Sequence, residues 1–260
     1  MGAVKLATWN VNSLRVRGAQ VLDWLATNPV DVLAVQETKL IDARFPSAEF
    51  EAAGYHACFT GQPTYNGVAL LSRAPPADIL TDPPGVESGE RRIIAATYGA
   101  VRVVNLYVIN GQEVGSGKYA RKMAWLEQVG GWLAAEARRH SRLIVAGDFN
   151  IAPEDADVHD PALWHERILC SSAEREALRR LQTHAGIDDC FRRFAQPPGS
   201  FSWWDYRQAA FRRNLGLRID LILASPGLRC VACTIDRTPR AWERPSDHAP
   251  VIAEFALDAD

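Results

Sequence analysis

The sequence predicts an α/β protein with two sheets or several layers, folded as one domain over residues 1–260. Three observations predict it. Short apolar runs such as Asp31-Val-Leu-Ala-Val35 and Leu143-Ile-Val-Ala146 stop abruptly at polar or glycine-containing turns, as buried strands do. Between Lys118 and His140, residues Met123, Leu126, Val129, Leu133 and Ala137 recur at helical spacing, and the chain then enters the strand at Leu143 directly. Finally, 260 residues suffice for a large core, and neither a linker-like stretch nor an internal repeat divides them.

Taken in order, Val4-Lys-Leu-Ala-Thr-Trp9 alternates as a strand and ends at Asn10-Val-Asn12-Ser13. Ser13 is expected to cap a helix marked by Leu14, Val21, Leu22 and Leu25, which Asn28-Pro29 ends. The strand from Asp31 then delivers Gln36-Glu37-Thr38-Lys39 at its terminus. Tyr65-Asn-Gly67 reads as a turn before the strand Val68-Ala-Leu-Leu71. Arg92 to Tyr98 and Val101 to Tyr107, joined by Gly99-Ala100, form a hairpin with Tyr107 at its far end. Gly130-Gly131 is a weak point in the long helix. Residues 151–170 show little periodicity and are expected to form a surface loop. Ser171-Ser-Ala-Glu174 fits a capping box, opening a helix through Ala177, Leu178 and Leu181. In Ser200-Phe-Ser-Trp-Trp-Asp-Tyr-Arg207, two adjacent tryptophans cannot both point inward from an extended chain, so one faces a loop or a ligand. Leu217-Arg-Ile-Asp220 leads into the strand Leu221-Ile-Leu-Ala224. After Pro245-Ser-Asp247-His248-Ala-Pro250, Val251-Ile-Ala-Glu-Phe255 alternates as a closing strand.

Chemistry-bearing residues gather at the strand ends. Asp148 and Asn150 follow the apolar run from Leu143, and a carboxylate that orients water beside an amide that donates to an anionic oxygen suits phosphodiester hydrolysis. The same Gly-Asp-x-Asn wording also satisfies an ordinary turn. Glu37 is a second carboxylate at a strand end, although on its own a glutamate there is more often a surface or capping residue. His248, between stiffening prolines and beside an acid, is a candidate phosphate-facing group.

The net charge of −2 gives no global attraction to nucleic acid, but Arg207 to Arg244 holds eight arginines against three acids, enough for one basic face. The five cysteines are an odd number. Cys230-Val-Ala-Cys233 has metal-knuckle spacing, yet it lies in an alternating run where residues three apart face opposite sides, and no second pair accompanies it. A structural role is expected for these thiols. With no signal peptide or bilayer-spanning run, the expected setting is the reducing cytoplasm, away from membranes.

Five segments read together are Thr8-Trp-Asn-Val-Asn12, Gln36-Glu-Thr-Lys39, Gly147-Asp-Phe-Asn150, Gly216-Leu-Arg-Ile-Asp220 and Ser246-Asp-His-Ala-Pro250. Their order and wording resemble the exonuclease III family of abasic-site endonucleases, end to end. Gly-Asp-x-Asn and Ser-Asp-His are shared across the wider endonuclease/exonuclease/phosphatase superfamily, including lipid and inositol phosphatases. Gln-Glu-Thr-Lys, Tyr65-Asn-Gly-Val-Ala-Leu-Leu71, Phe201-Ser-Trp-Trp-Asp-Tyr206 and Gly-Leu-Arg-Ile-Asp look like the DNA-repair branch.

The resemblance implies a four-layered α/β sandwich, with two mixed sheets face to face, helices outside and the site at one end of the sheets. It implies Mg²⁺, replaceable by Mn²⁺, held chiefly by Glu37 with Asn10, Asn12, Asp148, Asn150 and Asp247 as further ligands, a donor set suited to a hard cation. By the same carry-over Asp148 orients or deprotonates the attacking water, and Asn150 holds that water or a phosphate oxygen. His248 pairs with Asp220 and donates to the scissile phosphate, while Tyr107 contributes a hydroxyl. Trp203, Leu217 and Ile219 are expected to form a small apolar pocket for a flipped-out, base-less sugar, and Arg92 with the arginine-rich segment to track phosphates.

The implied substrate is duplex DNA with abasic sites or blocked or recessed 3′ ends, and a monomer is expected. Ile109 stands where the family often has proline, and Trp164-His-Glu-Arg-Ile-Leu169 occupies a loop that varies among members. This loop is expected to help set the balance between abasic-site cleavage and 3′-end trimming. The alternatives are a superfamily phosphohydrolase acting on inositol phosphates or phospholipids, and a non-catalytic DNA-binding descendant.

Overall fold

In the computed structural model, which describes residues 2–87 and 89–257, strands and helices alternate at the start of the chain and give way to runs of consecutive strands in its middle and at its end. The order is β1 (Gly2–Asn10), α1 (Leu14–Thr27), β2 (Val32–Gln36), α2 (Ser47–Ala52), β3 (His56–Thr60), β4 (Val68–Ser72), β5 (Ala77–Leu80), β6 (Ile93–Tyr98), β7 (Val101–Tyr107), α3 (Gly117–Arg139) and β8 (Leu143–Asp148). There follow α4 (Pro161–Trp164), α5 (Ser172–Ala185), β9 (Asp188–Asp189), β10 (Trp203–Trp204), α6 (Ala210–Arg213), β11 (Gly216–Leu217), β12 (Asp220–Ala224), β13 (Arg229–Ile235) and β14 (Val251–Leu257). One six-stranded sheet runs β13-β14-β1-β2-β4-β3, the other β5-β6-β7-β8-β12-β9, and β10 pairs with β11 beside them. Only β1 with β2 and β7 with β8 are parallel within the two large sheets, so both are mixed.

Side-chain alternation fixes the layers. In β8, Leu143 and Val145 pack against α3 and α5, whereas Ile144 and Ala146 meet the opposite sheet. In β1, Ala7 and Trp9 pack under α1 while Leu6 faces the sheet interface. The result is the four-layered sandwich: α1 and α2, sheet, sheet, α3 and α5. Each fully buried Val, Leu or Ile in these cores contributes roughly 1.5–3 kcal/mol.

The same alternation builds a polar row. Counting by twos from the apolar residues between the sheets reaches Thr8 and Asn10 on β1, Gln36 on β2, Asn105 and Tyr107 on β7, Asp148 on β8 and, at the start of its strand, Asp220 on β12. Register places Tyr107 beside Asp148 and Asp148 beside Asp220 on adjacent strands, and Asn10 beside Gln36 in the facing sheet. The intersheet core therefore ends in a patch of amides and acids. Gly147 makes the approach possible: at φ 149°, a Cβ there would lie 1.9 Å from the Leu106 carbonyl oxygen.

Several expectations are corrected. Ser13 occupies the N-cap position of α1 but its side chain makes no capping bond; backbone N–H groups of Ser13 and Leu14 instead donate to the carbonyls of Glu37 and Thr38. Gly130-Gly131 does not interrupt α3, and Gly130 packs against Leu181 of α5. Residues 151–170 are not a simple surface loop, since Ile151, Ala152, Asp157, Val158, Leu169 and Cys170 are buried. There Asp157 pairs with fully buried Arg218, a tie that periodicity cannot reveal.

Cys230 and Cys233 do not face opposite sides: a β-bulge between Cys230 and Ala232 brings both into the intersheet core, with Cys190. All five thiols are free and buried. The capping box holds, with Ser171 and Glu174 satisfying each other's backbone N–H groups. No helix among the described residues is long and apolar enough to cross a membrane.

Candidate active site

The polar row is completed by loops that leave the strand ends in a left-handed conformation. Asn12, Glu37, Lys39 and Asn150 all have φ between 45° and 54°. Asparagine tolerates this region, whereas for Glu37 and Lys39 it marks backbone held by its surroundings. The surroundings are visible, since Thr38 and Lys39 donate to the carbonyls of Gly67 and Asn66 in the turn before β4. Gly67 itself, at φ 88°, leaves no room for a Cβ, which would lie 2.1 Å from Thr38 Oγ1.

Glu37 Oε1 accepts from Asn10 Nδ2 at 2.9 Å and from the Tyr107 hydroxyl at 2.8 Å, and Oε2 pairs with Lys39 Nζ at 2.8 Å. Burial alone would raise the Glu37 pKa; the Lys39 charge and the Asn10 bond reverse this and hold it below its ordinary value. Asn10 Nδ2 also donates to Asp148 Oδ2 at 2.9 Å, so one amide ties the two carboxylates together across the sheets. Burial, with the Glu37 carboxylate adding to it, pushes Tyr107 well above its ordinary value, and its hydroxyl stays protonated.

His248 is carried on the turn before β14. Trp9 Nε1 donates to its carbonyl, its own N–H donates to Ser246 Oγ, and Ser246 Oγ donates to the Asn10 carbonyl. Its Nδ1 lies 2.9 Å from Asp220 Oδ2 and its Nε2 lies 3.8 Å from Asp148 Oδ2. Burial alone would lower the imidazole pKa, but Asp220 and Asp148 together push it up to about 10. Asp148 is pushed up to about 7, chiefly by burial, against the favourable His248 charge. The imidazole is thus a cation between two acids, with both nitrogens protonated at neutral pH.

Among the described residues, one group of three acid, imidazole or thiol side chains brings its ligand atoms within 4.8 Å of one another: Asp148, Asp220 and His248. An imidazolium has no lone pair for a metal ion, so with His248 protonated the trio offers a cation only its two carboxylates. The oxygen-rich position with a cation already beside it is Glu37. There the Lys39 ammonium also touches Asn12 Oδ1 at 2.6 Å.

The remaining expected residues fall close by, with differences. Asp247 accepts from Asn12 Nδ2 at 2.9 Å and Trp203 Nε1 at 3.0 Å and does not join the Asp148 group. Asn150 spends one N–H on the Val108 carbonyl, and its Oδ1 accepts from Asn110 Nδ2. Arg92 pairs with Glu90 and lies over the Tyr107 ring, so its cation is largely engaged. Of Trp203, Leu217 and Ile219, only Trp203 offers surface to a ligand; the other two are fully buried beneath it. A cleft of about 380 Å³ opens beside Trp203, lined also by His159, Trp164, Arg167 and Arg207. Trp204 is buried, as the alternation requires.

The basic segment is split. Arg218 and Arg240 are buried, Arg218 on Asp157 and Asp189, which leaves Arg207, Arg212, Arg213, Arg229, Arg237 and Arg244 exposed. The sequence patterns assign no side-chain role to Lys39, Asn110, Lys122 or Ser202. Lys122 carried a signal, being a lysine on the stripe of Leu126, Val129 and Leu133; Ser202 carried none.

A family model described as the endonuclease/exonuclease/phosphatase family matches residues 7–248. Exodeoxyribonuclease III of Haemophilus influenzae is 35% identical over 97% of this chain and 100% of its own length. Among solved structures, the 3′ phosphatase NExo from Neisseria bound to a product DNA hairpin superposes with a TM-score of 0.95 at 46% identity, over 98% of this chain and 100% of the other. An AP endonuclease from Archaeoglobus fulgidus gives 0.92 at 38% identity, over 98% and 100%. With the strand-end acids and the His248 pair in place and the family model spanning nearly the whole chain, the chain belongs to the endonuclease/exonuclease/phosphatase family.

Proposed function

We propose that this chain is a single-domain, metal-dependent DNA-repair nuclease that hydrolyses phosphodiester bonds in duplex DNA, at abasic sites and at blocked or recessed 3′ ends. One observation carries it. Tyr107, Asp148 and Asp220 stand side by side on three adjacent strands, the His248 imidazolium lies between the two acids, and Glu37 faces them from the other sheet. The relatives named above give the DNA substrate its support.

Glu37 Oε2 and Asn12 Oδ1 converge on the Lys39 ammonium, which marks an oxygen-lined place where positive charge is favoured, so a hard divalent cation fits. Glu37 and Asn10 would hold Mg²⁺, with Asn12, Asp148, Asn150 and Asp247 at its margin. When bound, the ion supplies charge stabilisation at the phosphate. The chain's own groups do the rest. Asp148 Oδ takes a proton from the attacking water, and His248 Nε2–H donates to a non-bridging phosphate oxygen. Asp220 keeps Nδ1 protonated, the Tyr107 hydroxyl offers a second donor, and Asn150 holds the water in line. Trp203 and the exposed arginines support a DNA ligand over an inositol phosphate. Five buried free thiols suit a reducing, cytoplasmic setting.

The test compares two labelled duplexes, one with an internal abasic site and one with a recessed 3′ end, with Mg²⁺ and with chelator. Cleavage of either that chelator abolishes is expected. Cleavage of inositol phosphates but of neither duplex overturns the reading. Binding to the duplexes is also expected to weaken steeply with salt, because neutralised phosphates release counterions. A flat salt response would point to a small substrate.

The pH profile follows from the two shifted groups. Below about 7 Asp148 holds its proton and cannot accept another, so kcat/KM is expected to rise with pH on the acid side, by up to about tenfold per unit. Above about 10 His248 loses its donor proton, and kcat/KM falls. A profile unchanged from pH 5 to 8 would remove Asp148 from the proton-accepting role.

A further inference from the structure

We infer that Ser202 is a positioning residue for the reaction, the third member of a Ser202–Asp220–His248 chain; this rests on the nuclease reading above. Ser202 is fully buried. Its Oγ lies 2.6 Å from Asp220 Oδ2, the oxygen that His248 Nδ1 approaches at 2.9 Å. Two backbone N–H groups, of Ile219 and Asp220, donate to the same Oγ at 3.1 Å each. A hydroxyl has one proton and two lone pairs. With both lone pairs taken by amides, that proton can only go to Asp220.

The direction of this bond matters more than its presence. A carboxylate free to rotate about its terminal torsion could turn an oxygen away from the imidazole, since that torsion is broad. The serine proton fixes Oδ2 in one place, and Nδ1–H of His248 is the donor that completes it. Nε2 is thereby aimed at Asp148 and the space beyond. The backbone of Ser202 adds to the alignment, accepting from Ala249 N at 2.7 Å and donating to the Leu217 carbonyl at 3.0 Å. One residue joins the turn that carries His248 to the strand that carries Asp220.

Ser202→Ala keeps the residue's own bonds to Ala249 N and the Leu217 carbonyl but strips the Ile219 and Asp220 amides of their acceptor, so its folding is checked by thermal melting and Ser202→Thr, which keeps that acceptor, is its control. Its kcat on the preferred duplex should drop about tenfold, as loss of a hydrogen bond to a charged group predicts, with KM unchanged. Ser202→Thr, which restores the hydroxyl, should recover kcat. In an Asp220→Ala background, which removes the oxygen that the serine proton holds, Ser202→Ala should have no further effect on kcat. A second readout needs no substrate: the low-field proton resonance of His248 Nδ1 should persist in wild type and Ser202→Thr and shift or vanish in Ser202→Ala. An unchanged kcat, an unchanged resonance, or full additivity with Asp220→Ala overturns the inference. A wild-type protein inert on both duplexes overturns the nuclease reading instead, and the resonance still decides the role of Ser202.

Discussion

Asp148→Asn is expected to cut kcat on duplex DNA by about 10³-fold, the scale of losing a positioned general base, while KM changes little. The acid accepts from Asn10 Nδ2 at Oδ2 and from Asn150 N at Oδ1. An asparagine can keep only one of these bonds, and the other becomes donor against donor. Its lost negative charge also removes one of the two carboxylates that hold the His248 proton. Stability moves the opposite way. Folding raises the pKa of Asp148 from 3.8 to about 7, so the folded state is favoured below 3.8 and loses that advantage as pH rises through 7. At pH 8 the wild type carries a buried charge that the variant lacks, and the melting temperature of the variant should be no lower than wild type. Single-turnover cleavage and thermal melting at pH 8 check both halves. An inactive, destabilised variant would mean that Asp148 holds the fold and not the chemistry.

Much of this was legible because one periodicity built both the core and the site. Ile144 and Ala146 predict a face, and Asp148 is the next residue on it. The same count leads from Val103 through Asn105 to Tyr107. What a local pattern cannot carry is contact between distant segments. Strict alternation puts Cys230 and Cys233 on opposite faces, and a single extra residue at the bulge reverses that. The arginine excess was a fair count of charge, but Arg218 spends its guanidinium on Asp157, 61 positions away. Leu217 and Ile219, expected to line a pocket, are instead the floor under Trp203, because β11 pairs with β10 and pulls their segment beneath the tryptophan. Ser202 was silent for the same reason: its partners arrive from β12, and an isolated serine between aromatics announces nothing.

Lys122→Met is expected to cost about 3–5 kcal/mol of stability, the scale of breaking a buried ion pair from one side. Lys122 and Glu174 have no exposed surface and form a direct ion pair, and the remaining donors of the ammonium go to the carbonyls of Asn150 at 2.7 Å and Asn110 at 3.1 Å. Glu174 is satisfied on every side, by Lys122, by the Leu169 N–H and by Ser171 N and Oγ. Methionine fills a similar volume, so the loss is electrostatic: a carboxylate left in a dry interior and two carbonyls left without a donor. For a chain of this size the midpoint should fall by roughly 10 °C. Adding Glu174→Gln removes the stranded charge and should restore part of the stability, while the carbonyls stay unpaired. Those carbonyls belong to the loops that hold Asn110 Nδ2 against Asn150 Oδ1. The double variant should therefore regain folding without regaining full turnover, which urea denaturation and cleavage kinetics on the same samples can separate. Equal recovery of both would make the Lys122–Glu174 pair a stabiliser alone, with no part in holding Asn150 over the site.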